Sequence, residues 1–337
     1  METIDVALIG AGRMGTVHGA NAARQPGLRL KYVIDPRPEA AAAMAAAHGA
    51  AVVTLDAMLA DPAVRGVLVC SATDRHLEHA LAAIAAGKAV FCEKPIDLDL
   101  AKARAAEARF RGKPFQLGFN RRFDPHFRRL KQRLDAGEIG TLESLHIINH
   151  DPAAPPAGFI PTSGGLFKDF TIHDIDMARW ILGEEPQEIF SIASCLVDPE
   201  IGRLGDVDTA RTLLKTASGR LCVISNTRRS GCGYDQRLEA FGAKGLLRAG
   251  NLAGNTVVSA TETAVVAAPI LPAFPSRYAE SYRAQIAHFA DILHGRAEVM
   301  VGYADGLAAL SLAEACQSAA QSGQPWRRDA ATSPTAS

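Results

Sequence analysis

Over the first third of the chain, short apolar runs alternate with stretches of helical period. The apolar runs fall at residues 6–9, 30–34, 52–53, 67–70, 90–92 and 115–118. Helical stretches at 39–48, 74–86 and 98–111 lie between them and stop at Gly49, Gly87 and Gly112. Glycine is the residue that most easily takes the left-handed turn closing a helix. In the second stretch Leu77, Ala80, Leu81 and Ile84 share one face. Strands that are apolar throughout need cover on both faces, which a parallel sheet between helical layers provides. Six of them predict an α/β domain over residues 1–121, a doubly wound Rossmann arrangement.

The pattern then changes. A helix at 125–135 aligns Phe127, Leu130 and Leu134 and stops at Gly137. Longer strand-like runs follow at 141–150, 188–197, 206–217, 221–229 and 236–241. In the first of these, Leu142, Leu145, Ile147 and Asn149 obey period two only in part. Ser218-Gly219 reads as a hairpin turn between two runs. A helix at 170–182 interrupts the series, and helices at 277–294 and 303–322 close it. Strands joined by turns predict an α+β domain over 122–330, built on a largely antiparallel open sheet. Residues 331–337 read as a disordered tail.

Composition narrows the function classes. Lys plus Arg equals Asp plus Glu at 36 each, so no global field draws in nucleic acid or an anionic membrane. No secretory leader and no apolar run of membrane-spanning length is visible. Cys70, Cys92, Cys195, Cys222, Cys232 and Cys316 are scattered without a C-x-x-C pair. They indicate neither a zinc site nor a disulfide framework, and a reduced cytoplasmic setting fits them.

Gly10-Ala11-Gly12-Arg13-Met14-Gly15 follows the first strand and opens a helix, the context a dinucleotide-binding G-x-G-x-x-G requires. Gly10 permits the tight turn, Gly12 a close approach of backbone to pyrophosphate, and Gly15 close helix–strand packing. The helix N-terminus favours the pyrophosphate charge. Asp35 ends the second strand, twenty residues after Gly15. There a carboxylate accepts from the adenosine ribose and repels a 2′-phosphate, so NAD is expected over NADP, with Arg37 opposing that preference. Ser71-Ala72-Thr73 ends the fourth strand, either beside the cofactor or as a plain turn with Asp74 near the helix cap.

Cys92-Glu93-Lys94-Pro95 ends the fifth strand at the same sheet edge. An ammonium group there stabilises a developing alkoxide; the alternative is a surface Lys94 paired with Glu93. Asp169 and His173 stand four apart after Gly164-Gly165, so on a helix they share a face. An imidazole is a suitable base for a hydroxyl proton. The competing reading is capping, by Asp169 or by a Thr171-x-x-Asp174 box. A metal site from Asp169, His173, Asp176, His146 and His150 lacks a recognised spacing, and no metal is expected.

Together these pieces resemble the Gfo/Idh/MocA oxidoreductases over nearly the whole chain. The resemblance rests on GAGRMG, SATDRHLEHALAAIAAGKAVFCEKP, LGFNRRFDPHF and GGLFKDFTIHDIDMARWILGEEP. A finer match, to the bacterial inositol-dehydrogenase branch, rests on HDPAAPPAGFI, GDVDTA and NTRRSGCGYDQRLEAFGAKG. The resemblance implies NAD-dependent oxidation of a secondary hydroxyl of a small polyol, with myo-inositol foremost and another inositol isomer or a pyranose as alternatives. A non-catalytic cofactor-binding protein is the reading from a different class. Lys94, Asp169 and His173 take the catalytic positions, His173 as base and Lys94 on the oxygen. Gly10, Gly12, Arg13, Met14, Gly15, Asp35, Ser71, Thr73, His76, Glu93 and Lys94 match cofactor-contacting stretches, with His76 equally readable as a helix start. Asp151 and Tyr234 align with positions that hold ring hydroxyls, and Arg121 either borders the pocket or makes a structural ion pair. The resemblance also implies a homotetramer joined through the open sheet face.

Overall fold

The computed structural model describes residues 2–328, so the tail expected at 331–337 lies outside the described residues. The chain divides into two compact units. One holds the residues up to Asp124 together with Glu280–Ser311, and the other holds Pro125–Ala279 together with the residues from Leu312. This corrects the continuous second domain expected over 122–330: a late segment returns to the first unit.

In the first unit, β1 (Ile4–Ile9), β2 (Leu28–Ile34), β3 (Ala51–Val52), β4 (Val64–Val69), β5 (Ala89–Cys92) and β6 (Phe115–Leu117) form one sheet. Their order is β3-β2-β1-β4-β5-β6, and every pairing is parallel. The order reverses direction between β1 and β4, where doubly wound sheets bind ligands beyond the strand ends. All six residues of β1 are buried; Val6–Ile9 are apolar without alternation, and the one charged member, Asp5, pairs with Arg29 at 2.6 Å. The intervening helices are α1 (Arg13–Arg24), α2 (Pro38–His48), α3 (Leu55–Ala60), α4 (His76–Ala85) and α5 (Leu100–Phe110). The returning helix Ala279–Leu293 completes the core: Ile286, Phe289 and Leu293 pack with Val6, Leu8 and Phe91. Each such side chain contributes about 1.5–3 kcal/mol on burial.

In the second unit, α6 (Pro125–Asp135) precedes a sheet of β7 (Leu142–His150), β8 (Pro186–Ser194), β9 (Thr209–Thr216), β10 (Leu221–Thr227), β11 (Asp235–Gly242), β12 (Gly245–Ala249) and the short strand Trp326–Arg327. Neighbours run β12-β11-β7-β10-β9-β8 and then Trp326–Arg327. The β7–β10 pair is parallel, and the others are antiparallel. The expected hairpin joins β9 to β10, with Gly219 at φ 90°. Among the features that escaped the pattern are β12, the short helix Pro199–Arg203, and an exposed hairpin pairing Val258–Ala260 with Val265–Ala267.

One face of this sheet carries a buried polar row. Asn149 pairs with Asn226 on one side and Gln236 on the other, and all three are buried. The carboxylate of Asp174, fully buried in the helix Ile172–Leu182, accepts from both Asn149 and Asn226 at 2.8 Å. Gln236 donates to Asn149 at 2.6 Å, and the Tyr278 hydroxyl donates to Gln236 at 3.1 Å. A carboxylate out of water is tolerated only when its partners are in place. Asp174→Ala leaves two buried amides without an acceptor and is expected to cost about 2–4 kcal/mol in urea unfolding. A loss under about 0.5 kcal/mol would show that the row carries no weight, since ordinary surface changes stay in that range.

Among the described residues, no helix is long and apolar enough to cross a membrane.

Candidate active site

The glycine-rich turn has the geometry its sequence requires. Gly10 sits at φ 97°, and a Cβ there would lie 2.4 Å from the Cys70 carbonyl oxygen. A Cβ at Gly15 would lie 1.9 Å from the Gly10 carbonyl oxygen, so α1 approaches the turn as only glycine allows. A Cβ at Gly12 would meet no atom within 4 Å. Gly12 is also the N-cap of α1, and no side chain caps it. The start of α1 at Gly12 therefore leaves room for the close approach of a pyrophosphate, whose charge a helix N-terminus favours.

Asp35, at the end of β2, ties this turn to the sheet. Its Oδ2 accepts from the Ala11 N–H at 2.6 Å, and its Oδ1 accepts from the Arg37 N–H at 2.9 Å. The Arg37 guanidinium forks back onto the same carboxylate at 3.0 and 3.3 Å. Burial pushes the Asp35 carboxyl up, but the bonds from Arg37 and Ala11 outweigh it and hold the group below its ordinary value. It stays ionised, as an acceptor for ribose hydroxyls must.

Beyond β4, the Ser71 hydroxyl meets His79 Nδ1 at 2.9 Å, and Thr73 opens a short 3-10 turn, Thr73–Arg75. No side chain caps that turn, so Asp74 is not its cap. His76 is buried. Its Nδ1 lies 2.7 Å from the Pro95 carbonyl and its Nε2 3.1 Å from the Ser71 carbonyl. Burial lowers its pKa, and a neutral ring has one N–H, which the shorter distance assigns to Pro95. His76 thus starts α4 and braces the Lys94-Pro95 turn, whose peptide bond is cis.

Glu93, expected against the cofactor, points into the fold. Its Oε1 meets His18 Nε2 at 2.6 Å, and its Oε2 accepts from the Lys94 N–H at 3.1 Å. The surface pairing of Lys94 with Glu93 is thereby replaced by a buried carboxylate that holds the Lys94 backbone. Arg121 is buried within a 3-10 turn, Asn120–Phe123.

The second unit holds the remaining candidates. Asp169 lies in a π-helical turn, Phe167–Thr171, that runs directly into the helix Ile172–Leu182. This corrects the expected capping start at residue 170. Thr171 makes no side-chain cap; its hydroxyl donates to Asn226 at 2.8 Å. Asp174 turns inward to the amides described above, so no capping box forms. Widened turns of this kind recur at functional sites. His173 is half-buried in the first turn of the helix. Arg228, 1% exposed, sets both terminal nitrogens 3.5 Å from Asp169 Oδ2 and lies over the Phe170 ring at 5.7 Å. Asp151 follows β7, its N–H bonded to the Thr227 carbonyl at 3.0 Å. Tyr234 is buried, its ring 5.9 Å from that of Tyr278.

Arg228 and His18 were not singled out from the sequence, and Asp174 was named only as a capping residue. Asn149 was the available signal for the polar row, a polar residue in phase with Leu145 and Ile147. For the metal alternative, His150 is engaged by Ser225 at 2.8 Å, and the His146 ring lies tilted against that of Phe241 at 5.1 Å. No group of three metal-ligating side chains occurs among the described residues.

Comparison with known proteins agrees with this division. Residues 4–119 match the oxidoreductase family with an NAD-binding Rossmann fold, and residues 127–248 match the GFO/IDH/MocA C-terminal domain. The chain belongs to the Gfo/Idh/MocA oxidoreductase family. It is 43% identical to an inositol 2-dehydrogenase of Rhizobium meliloti over 93% of this chain and 96% of that protein. A crystal structure of a myo-inositol dehydrogenase from Corynebacterium glutamicum superposes with a TM-score of 0.92 at 39% identity, covering 97% of this chain and 99% of that one. A scyllo-inositol dehydrogenase from Lactobacillus casei, solved with NAD(H) and scyllo-inositol, gives a TM-score of 0.90 at 29% identity, with 97% and 99% covered.

Proposed function

We propose that this protein oxidises the secondary hydroxyl at carbon 2 of myo-inositol with NAD as acceptor, giving 2-keto-myo-inositol, an inosose. The observation that carries the reading is the 43% identity to an inositol 2-dehydrogenase across nearly the full length of both chains. The described residues fit the cofactor: the room at Gly12 suits a pyrophosphate, and the ionised Asp35 suits a ribose. Bound at the Gly12 turn and Asp35, NAD would supply the hydride acceptor for the substrate carbon. His173 takes the hydroxyl proton, Asp169 orients His173, and Lys94 stabilises the oxygen as its charge grows. Asp151 and Tyr234 hold ring hydroxyls, and a site built around such bonds discriminates strongly against analogues lacking them.

A panel of myo-, scyllo- and chiro-inositol, glucose and simple alcohols, each with NAD and NADP, tests this reading. Myo-inositol with NAD is expected to lead. Turnover confined to a pyranose reassigns the substrate, and turnover of nothing leaves a cofactor-binding protein. Asp35→Ser removes the ribose acceptor and releases Arg37. It is expected to raise the NADP-to-NAD ratio of kcat/KM by about 10–100-fold, the value of one or two charge-assisted bonds. An unaltered ratio removes Asp35 from the ribose site.

The protein is further proposed to work in the cytoplasm as a homotetramer. Free thiols at all six cysteines support that compartment, where thiols stay reduced. For the assembly, the open sheet face exposes Ile192, Leu213, Leu221 and Leu246 at 57%, 51%, 51% and 47%, an apolar surface suited to a second copy. Light scattering is expected to give four times the chain mass, and a monomer would contradict it.

A further inference from the structure

The pair formed by His18 and Glu93 has no part in the chemistry above, yet both side chains are buried in the first unit. His18 is 0% exposed and Glu93 6%. The His18 ring lies 4.7 Å from that of Phe91 and 5.6 Å from that of Tyr282. On the other side, a Cβ at Gly118 would stand 3.1 Å from Glu93 Oε2, so the end of β6 closes over the carboxylate. A carboxylate only accepts, so the 2.6 Å contact places a proton on His18 Nε2. Burial raises the Glu93 carboxyl, but the His18 bond and the charges of His18 and Lys94 bring it below its ordinary value. A buried, ionised carboxylate is costly to keep and strongly disruptive when left unpaired.

The placement of its two oxygens gives the pair a role. One oxygen is held by His18 on α1, the helix that begins at the glycine-rich turn. The other accepts the backbone N–H of Lys94 at 3.1 Å. One carboxylate therefore joins the dinucleotide-binding helix to the residue that carries the ammonium group. We propose that His18 is a positioning residue: through Glu93 it fixes the Lys94 backbone relative to α1. Catalytic groups held about 1 Å out of place can lose about 100-fold in rate. This inference rests on the reading of Lys94 given above.

The test uses the full-length chain with NAD and myo-inositol, scoring kcat against NADH affinity by fluorescence titration. The double change His18→Phe with Glu93→Leu replaces both partners by apolar groups, which avoids stranding a buried charge. It is expected to lower kcat by about 10–100-fold with NADH affinity kept within about threefold. His18→Gln restores a donor toward Glu93 and is expected to recover most of the rate. Wild-type kcat in the double variant overturns the proposal, as does a fall in NADH affinity that matches the fall in kcat. Should the double variant not fold, His18→Phe with Glu93→Gln decides: the carboxamide oxygen still accepts the Lys94 N–H but has no partner on α1, so kcat falls while NADH affinity holds, and unchanged kcat overturns the proposal. Lys94→Ala run in parallel separates the two levels. If it turns over normally, the reading of Lys94 fails. If it is impaired while the double variant is not, only the role of His18 fails.

Discussion

His173→Gln is expected to lower kcat for myo-inositol oxidation by about 10²–10⁴-fold, the usual contribution of a positioned general base. Glutamine keeps a polar group of similar reach but does not take up the hydroxyl proton at neutral pH. Because the helix Ile172–Leu182 is anchored by Asp174, which accepts from Asn149 and Asn226 at 2.8 Å, the change leaves the helix in place. NAD affinity and the KM for myo-inositol should move by less than about tenfold, since the lost interaction belongs mainly to the transition state. Steady-state kinetics with NADH as the readout check both numbers. A kcat within tenfold of the parent protein would remove His173 from the role of base.

Lys94→Ala is expected to lower kcat by about 10²–10³-fold, the scale seen when one preorganised donor to a developing oxyanion is removed. The backbone at this position is held independently of the side chain. His76 reaches the Pro95 carbonyl at 2.7 Å, and Glu93 accepts the Lys94 N–H at 3.1 Å. Truncation therefore tests the ammonium group and leaves the turn intact. A rise in KM for myo-inositol with kcat unchanged would mean that Lys94 binds the ground state and transition state alike. Full activity in the variant would leave the oxygen without its cation and would contradict the mechanism.

Much of this site was readable in the chain because its parts follow local rules. The glycines, the strand before them and Asp35 are spaced by the geometry of one βα unit, and the structure returns them with Gly10 at φ 97° and Asp35 Oδ2 on the Ala11 N–H at 2.6 Å. The runs in β1, β4 and β5 were legible because burial over residues 6–9, 67–69 and 90–92 leaves no polar position, whereas both residues of β3 at the sheet edge are exposed. What escaped depends on contacts between distant segments. The stripe on the helix Ala279–Leu293 shows that one face is buried, but not that Ile286 and Phe289 cover the first sheet. That is why the second domain was expected to run unbroken. The π turn around Asp169 depends on backbone bonding that side-chain spacing does not encode.

Glu93 illustrates the same limit. Its place beside Lys94 suggested a surface pair or a cofactor contact, whereas the partner that decides its orientation, His18, comes from α1. The signal was present, since His18 shares the buried stripe of α1 with Gly15, Gly19 and Ala22. A histidine on a face of small residues needs a polar partner from elsewhere. The inward turn of Asp174 likewise followed from Asn149 standing in the buried row of β7, where an amide in an apolar row calls for a buried acceptor.

The most direct measurement follows the hydrogen. The protein is incubated with NAD and myo-inositol carrying deuterium on carbon 2, and the reduced cofactor is examined by mass spectrometry and NMR. The account predicts one deuterium on carbon 4 of the nicotinamide ring for each inosose formed. NADH without deuterium while inosose accumulates, or no reduced cofactor with any inositol, would contradict it.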